Sequence, residues 1–382
     1  MESIIDKSLE HMEHTGTEAY PILWDELYCQ VVRQTTDNKS LNKMGYPESI
    51  VRGFELLTLF AGTFKCTCVL IYTSQRENNT HTHTKKTGTT GLYPYVMAHL
   101  DLAKKKKIFV AGSGDELDEA KRRIATLARR AQIRLQKTCK MEMRKKVPTE
   151  LEFRAVLAAM PVMVRVYMMD GTYKTLPINT HTTAQGLSQM MSLTIGVKVN
   201  DVYAIYEYDN ADNKHYLLPE TRIMDVIAVW QEQVESLSEE QRKTFRTSRF
   251  MFEVHHFLDM ELSDHIGWSL LFMEAVRNVV NQVYPLTRKM VLDLAALQLQ
   301  EELGDFTGDQ DERMLNGNLH RYLPARFLTE DERSSMIEPL VKRWQRLRGQ
   351  GYDQFECQLT YVEILKQSIW YVVFSLTHKC EV

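Results

Sequence analysis

No apolar run in this 382-residue chain approaches the roughly 20 residues that a membrane-crossing helix needs. The opening Met1-Glu2-Ser3 begins a polar, acidic segment without the apolar stretch of a secretory leader. Cysteine is scarce: Cys29, Cys66, Cys68, Cys139, Cys357 and Cys380 are scattered along the chain. Sparse thiols and no leader predict a reduced, cytoplasmic protein with free cysteines. The sequons Asn38-Lys39-Ser40 and Asn78-Asn79-Thr80 then read as chance matches. An excess of one charge is missing too, because the net charge of −3 leaves no global field to draw in nucleic acid or an anionic membrane. Any electrostatic partner site must come from local segregation of charge. The chain has no G-x-x-x-x-G-K-[ST] loop, and so no motor ATPase of its own, and neither a G-x-S-x-G elbow nor an H-E-x-x-H helix. An enzyme with an unfamiliar site would need a cluster of titratable residues in a concave place, and no pattern suggests one. No catalytic residue, cofactor or metal is expected.

What is present is ordinary globular material, with 44% hydrophobic and 25% charged residues and enough length for two or three domains. Trp24, Leu27, Tyr28, Val31 and Val32 fall at helical spacing, and a polar loop, Thr35–Tyr46, follows them. Pro47-Glu48-Ser49 predicts a helix start, Phe54, Leu56, Leu57, Leu59 and Phe60 its apolar content, and Gly62 its stop. Residues 66–90 are polar, low in complexity and without periodicity, and predict a disordered insertion. Helical spacing returns with Tyr93, Tyr95, Val96 and Leu100. The clearest helix is 115–138, where Ile124, Leu127, Ala131 and Leu135 make one apolar stripe.

From residue 161 the period changes to two. Val162, Val164 and Val166 alternate with Met163 and Arg165, Asp170-Gly171-Thr172 predicts a hairpin turn, and Tyr173, Leu176 and Ile178 begin the return strand. A helix with Leu187, Met190 and Met191 follows, then a strand at Val202–Tyr208 with Tyr203, Ile205 and Glu207 on one face. This order within about 75 residues predicts a ubiquitin-like α+β roll. Beyond 264 the chain reads as helical again: Ile266–Tyr284 capped by Asp264, Met290–Phe306 opened by Thr287, a helix behind a capping box at Thr329-Glu330-Asp331-Glu332, and a last one over Gln354–Lys366. Four amphipathic helices with short links predict a small bundle.

Two clusters carry possible chemistry. Cys66-Thr67-Cys68 with His81-Thr82-His83 offers four zinc-type ligands, but C-x-C and H-x-H do not match the usual finger spacings, so no metal site is assigned. His255-His256 reads as an interior strand histidine beside an exposed one, and Trp268 and Trp344 as helix-packing residues. The second cluster is basic: Arg123, Arg130, Arg134 and Lys137 form a stripe beside the apolar one, Arg144, Lys145 and Lys146 continue it, and Lys104, Lys105, Lys106 and Lys107 could add to it. A solvated helix face is the ordinary fate of such charges. The alternative is a site for an acidic surface, to which flexible, strongly hydrated lysines lend diffuse attraction.

Several segments carry a family likeness. Glu26-Leu27-Tyr28-Cys29-Gln30 through Gln34-Thr35-Thr36 resembles the "LYCQ-x-x-x-QT" signature of myosin tail homology 4 domains. Arg52-Gly53-Phe54-Glu55-Leu56-Leu57 is similar to their "RGWELL" segment, with Phe54 for Trp, and Gln132-Ile133-Arg134-Leu135 followed by Pro148 to their closing helix. Asp170-Gly171 and its flanking strands resemble the first FERM lobe. Tyr284-Pro285, Leu294–Gln300 and Gly304-Asp305-Phe306 resemble the second. The resemblance implies a multidomain α and α+β protein. A helical myosin tail homology 4 domain would occupy 1–150, a ubiquitin-like lobe 161–240 and an acyl-CoA-binding-protein-like helical bundle 249–367. Two stretches depart from it. Residues 66–90 interrupt the first domain, and the apolar tail 368–382, with Ile369–Phe374 at its centre, does not continue into a third lobe. Both read as translated non-coding sequence.

The function that the resemblance implies is non-catalytic: a cytoskeletal module linking a motor to cargo or adaptor proteins, membrane-associated receptors or microtubules. Microtubules would be met by the basic residues named above. A motor-free scaffold built on the same cassette is the alternative.

Overall fold

The structure, a computed structural model, describes residues 20–36, 47–67, 91–105, 115–141, 144–198, 202–255 and 261–367. Contacts divide the chain into two units. The first comprises Met1–Met163 with Pro177–Thr183 and Thr221–Phe245, the second Val164–Leu176, Ala184–Glu220 and Arg246–Val382. The expected insertion from residue 68 onward and the tail from 368 lie outside the described residues.

The first unit is built on helices α1 (Tyr20–Thr35), α2 (Pro47–Thr63), α3 (Tyr93–Lys104) and α4 (Asp115–Lys140). Helix α4 complements its own dipole, with Asp115, Glu116 and Asp118 in the first turn and Lys137 and Lys140 in the last. Its apolar stripe is buried as the spacing requires, and Ala120, Ala128 and Thr138 widen it. Trp24 stacks on Phe64 at 3.9 Å between ring centroids, and the Tyr28 hydroxyl donates to the Phe64 carbonyl at 2.9 Å. His99 stacks on Phe54 and hydrogen-bonds Thr35, and burial lowers its pKa to about 4.

Two expectations change here. Gly62 does not stop α2, which runs on to Thr63. A Cβ there would collide with the guanidinium of Arg134, so the glycine clears a path for that side chain. Cys66 and Thr67, expected to begin the insertion, belong to the packed unit. Cys66 is buried in the helical core, and Thr67 donates from N and Oγ1 to the Asp25 carboxylate and accepts from the Tyr93 N–H at 3.0 Å. Helix α5 (Glu150–Ala158) follows, capped by Thr149.

One mixed sheet contains β1 (Val162–Tyr167) and β2 (Tyr173–Ile178). Helix α6 (Ala184–Ile195) leads to β3 (Tyr203–Tyr208) and β4 (Lys214–Tyr216). Helices α7 (Ile223–Glu235) and α8 (Glu239–Thr244) precede β5 (Arg249–Val254). The strand order is β2-β1-β5-β3-β4, with β1 parallel to β5 (Val166 opposite Phe250) and β3 antiparallel to both of its neighbours. Valines 162, 164 and 166 are buried in the alternation read from sequence. Strand β3 departs from it: Tyr203, Ile205, Tyr206 and Tyr208 are all buried and Glu207 only half so, because this strand lies inside the sheet with both faces covered. His255 stands just past β5, half-buried, sharing a hydrogen bond with the Tyr206 hydroxyl at 2.8 Å and stacking on Tyr216. It is a rim residue rather than an interior one, and His256 lies outside the described residues.

The rest of the second unit is a helical bundle of α9 (His265–Val280), α10 (Arg288–Leu303), α11 (Asp309–Asn318), α12 (Glu330–Leu347) and α13 (Gln354–Lys366). Asp264 and Thr287 cap α9 and α10 as their positions predict. Helix α9 stops at Val280 rather than Tyr284, as Gln282 takes up a left-handed turn at φ 62°. Helix α10 is buried almost all round, as befits a central helix. The amide nitrogens of its buried glutamines donate, Gln298 to the Arg321 carbonyl and Gln300 to Asp305. The expected capping box at Thr329 is not formed, since its side chain makes no cap bond; a full box stands instead at Ser238 and Gln241, at the start of α8. Pro339 sits inside α12, where it leaves the Ser335 carbonyl without an intrahelical donor, and Arg288 donates to that carbonyl at 3.0 Å.

Candidate functional site

The basic residues singled out from sequence fall into three environments. Arg144 is buried. Its Nε donates to Asp225 Oδ1 and its Nη1 to Glu152 Oε1, both at 2.7 Å, and the Lys145 N–H adds a bond to Asp225 at 3.2 Å. Burial alone would lower its pKa, and the two carboxylates more than offset that. Arg134 also points inward, donating from Nε to the Thr58 carbonyl and from Nη2 to Thr180 Oγ1, each at 3.0 Å. Burial without a carboxylate at contact pulls its pKa down to about 10. The expected stripe is therefore broken. Arg144 is an interior polar anchor of the first unit, while Arg134, part-buried, turns its guanidinium away from the outer face of α4 and onto the wall of the cleft described below.

The second group is exposed but paired. Arg123 reaches Glu48 and Glu55 at 3.4 and 3.2 Å, and Lys146 reaches Glu232 at 2.8 Å. Lys104 and Lys105 share Asp101 at 3.0 and 2.5 Å, and Lys104 also bonds Gln132. Lys106 and Lys107 lie outside the described residues. Of the residues named from sequence, Arg130, Lys137 and Lys145 remain, and their side chains make no ion pair among the described residues.

Sequence reasoning missed Arg129 and Lys140. On a wheel of 100° per residue they share with Arg130, Ile133, Gln136 and Lys137 the solvent side of the C-terminal half of α4. No acidic side chain interrupts this stretch, and Ile133 stands half exposed at its centre. The signal was present in the spacing. A stripe drawn through Arg123 and Arg134 follows the edge of the helix that turns into the core, and one drawn through 129, 130, 137 and 140 follows the outer face.

Beside this face lies a cleft of about 340 Å³. Its apolar wall includes Ile133, Val156, Met160 and Ile178, while Arg130, Arg134 and Glu152 bring charge to it. Met160 is 65% exposed, an unusual state for so large an apolar side chain. Glu152 is buried, and its Oε2 carries no hydrogen bond among the described residues.

The second unit holds a more polar cavity of about 300 Å³, lined by Tyr208, Lys214, Glu253, Glu274 and Arg277 among others. Glu274 accepts from the Val254 N–H at 2.8 Å, which ties α9 to β5. Its pKa is pushed up to about 7, chiefly by burial and further by Glu253, against the pull of Lys214. Among the described residues no group of three or more His, Cys, Asp or Glu side chains is placed to hold a metal ion; Cys68, His81 and His83 lie outside them. No helix there is long and apolar enough to cross a membrane.

Comparison with known proteins defines the class. Residues 15–89 match the MyTH4 domain, 160–256 the RA like domain and 258–373 the FERM central domain. The three matches follow one another as a helical region, a ubiquitin-like sheet and a helical lobe, an order similar to that of a myosin tail homology 4–FERM cassette. The matches run to 89 and 373, over most of the expected insertion and into the apolar tail.

Among individual relatives, Drosophila melanogaster Myosin-VIIa is 24% identical over 332 residues, 86% of this chain and 13% of that protein. An uncharacterized Drosophila melanogaster protein is 23% identical over 243 residues, 57% of this chain and 13% of its own length. The chain therefore spans about an eighth of these curated relatives. A mutant form of the Dictyostelium discoideum myosin VII MyTH4-FERM MF1 domain shares the fold at a TM-score of 0.64 and 20% identity, over 90% of this chain and 61% of that one. The human myosin 7b C-terminal MyTH4-FERM domain, solved in complex with the harmonin-a PDZ3 domain, does so at 0.60 and 16%, over 92% and 62%.

Proposed function

We propose that this chain is a non-catalytic, cytoskeleton-associated binding module that connects a motor to an acidic filament surface, with microtubules as the first candidate, and to cargo or adaptor proteins. In this reading the domains are those expected from sequence, 1–150, 161–240 and 249–367, except that β5 (Arg249–Val254) is counted to the sheet of the second. The observation that carries the filament reading is the outer face of α4, where Arg129, Arg130, Lys137 and Lys140 stand without ion pairs among the described residues and with no acidic residue between them along the helix. The arrangement in solved MyTH4-FERM domains supports a binding role, as one of them is captured with a PDZ domain.

Exposed cations meeting a polyanion attract over a Debye length, about 10 Å at 0.1 M salt and about 3 Å at 1 M, so the interaction weakens steeply with salt. The test is co-sedimentation with microtubules. The wild-type chain should pellet at low salt and release as salt rises. Reversal of Arg129, Arg130, Lys137 and Lys140 to Glu should abolish pelleting with the far-ultraviolet dichroism unchanged. A chain that fails to pellet at low salt refutes the reading and leaves the face merely solvated.

A further inference from the structure

The cleft next to the cationic face is not needed for diffuse attraction to a filament, yet it has the features of a recognition site. At about 340 Å³ it lies at the low end of ligand-pocket sizes, about 300–1,000 Å³, with room for one or two large side chains. Ile133 and Met160, 50% and 65% exposed, open its apolar wall to solvent. Its polar groups are of two kinds. Arg134 spends its hydrogen bonds on neutral oxygens, so its positive charge is uncompensated at contact. Glu152 is 2% exposed and keeps one carboxylate oxygen free of hydrogen bonds among the described residues. The cleft thus holds one donor group and one acceptor group beside its apolar wall, the two kinds of partner that a peptide's C=O and N–H require. Arg130 lines the cleft, and Arg129, Lys137 and Lys140 extend the positive charge along the same helix.

We infer that this cleft seats a large apolar side chain of an extended acidic peptide, whose flanking carboxylates meet the cationic face of α4. The inference rests on the binding role proposed for that face and adds the partner's chemistry: an acidic segment with an apolar anchor, not a uniform polyanion.

The test compares two fluorescein-labelled peptides by anisotropy on the full chain. One has a phenylalanine between two runs of three glutamates and the other has alanine in its place. Burial of the ring should make the first bind at least about ten-fold more tightly. Two variants keep the result interpretable. Ala155→Phe fills the cleft from α5 without changing charge. Ile133→Ser alters an exposed position that the fold does not need. Both should erase or sharply reduce the phenylalanine preference while the salt-sensitive binding of the alanine peptide persists. Equal affinity for the two peptides, or a preference that survives both variants, overturns the cleft assignment and leaves the cationic face standing. Failure of both peptides to bind at low salt removes the binding role of the face, and the cleft with it.

Discussion

Replacing Arg144 with alanine separates a binding residue from a structural one. Its guanidinium is 2% exposed and lies between Glu152, 3% exposed, and Asp225, 13% exposed. Removing it strands one fully buried carboxylate and one nearly so. Breaking a buried ion pair from one side costs about 3–5 kcal/mol, far more than the 0–1 kcal/mol of a surface pair. With a urea dependence of about 2 kcal/mol per molar, that moves the first unfolding midpoint down by roughly 2 M. The measurement is urea denaturation followed by dichroism at 222 nm. The charge-free triple replacement Arg144→Met, Glu152→Met, Asp225→Leu supplies the contrast. It should recover most of the loss, because the cost lies in the unpaired charge and not in the missing contact. An Arg144→Ala protein within about 1 kcal/mol of wild type would refute the burial argument. If that protein also lost microtubule pelleting, the sequence reading of Arg144 as a surface cation would be restored.

Gly62→Ala should lower the melting temperature, by about 2 kcal/mol of stability, despite alanine's better helix propensity, because the new methyl meets the Arg134 guanidinium. Gly317→Ala in α11, where a Cβ meets nothing within 4 Å, should do the opposite by up to about 1 kcal/mol, and the same sign at both sites would disprove the steric account. Glu274 binds its proton more tightly folded than unfolded, with a folded value of about 7 against an ordinary 4.5. Its contribution therefore favours the second unit at low pH and is lost as pH rises from 4.5 to 7, by about 3 kcal/mol. Glu274→Gln should flatten that slope in thermal melts, and a slope left unchanged would show that another group titrates. His99 and His181 act in the other direction. Burial holds them near 4 and 3, below an ordinary 6.5, so stability of the first unit is lost as pH falls through that window. His99→Gln should lessen the acid sensitivity read from hydrogen exchange in α3.

Some of this molecule is written in local pattern, and that part needs nothing beyond the chain. The 3.6-residue stripe of α4, the alternation of Val162, Val164 and Val166, and the caps at Asp264 and Thr287 appear in the structure where the spacing puts them. Each is a property of one element: a face repeats at a fixed angle, and a cap serves the N–H two or three residues on. Other features depend on what lies across from a residue, which periodicity cannot express. Arg134 and Arg123 sit at similar angles on α4, yet one is part-buried over Gly62 and the other is solvated beside Glu48 and Glu55, because the neighbouring helix α2 presents a glycine at one level and carboxylates at another. Arg144 reads as the end of a basic run, and only the return of the chain at Asp225 makes it an interior anchor. Strand β3 reads as one-faced, and only its place within the sheet buries both sides. The cleft is invisible in the sequence for the same reason. Its wall gathers Thr58, Ile133, Met160 and Ile178 from four separate segments, and long-range packing alone brings such residues to one surface.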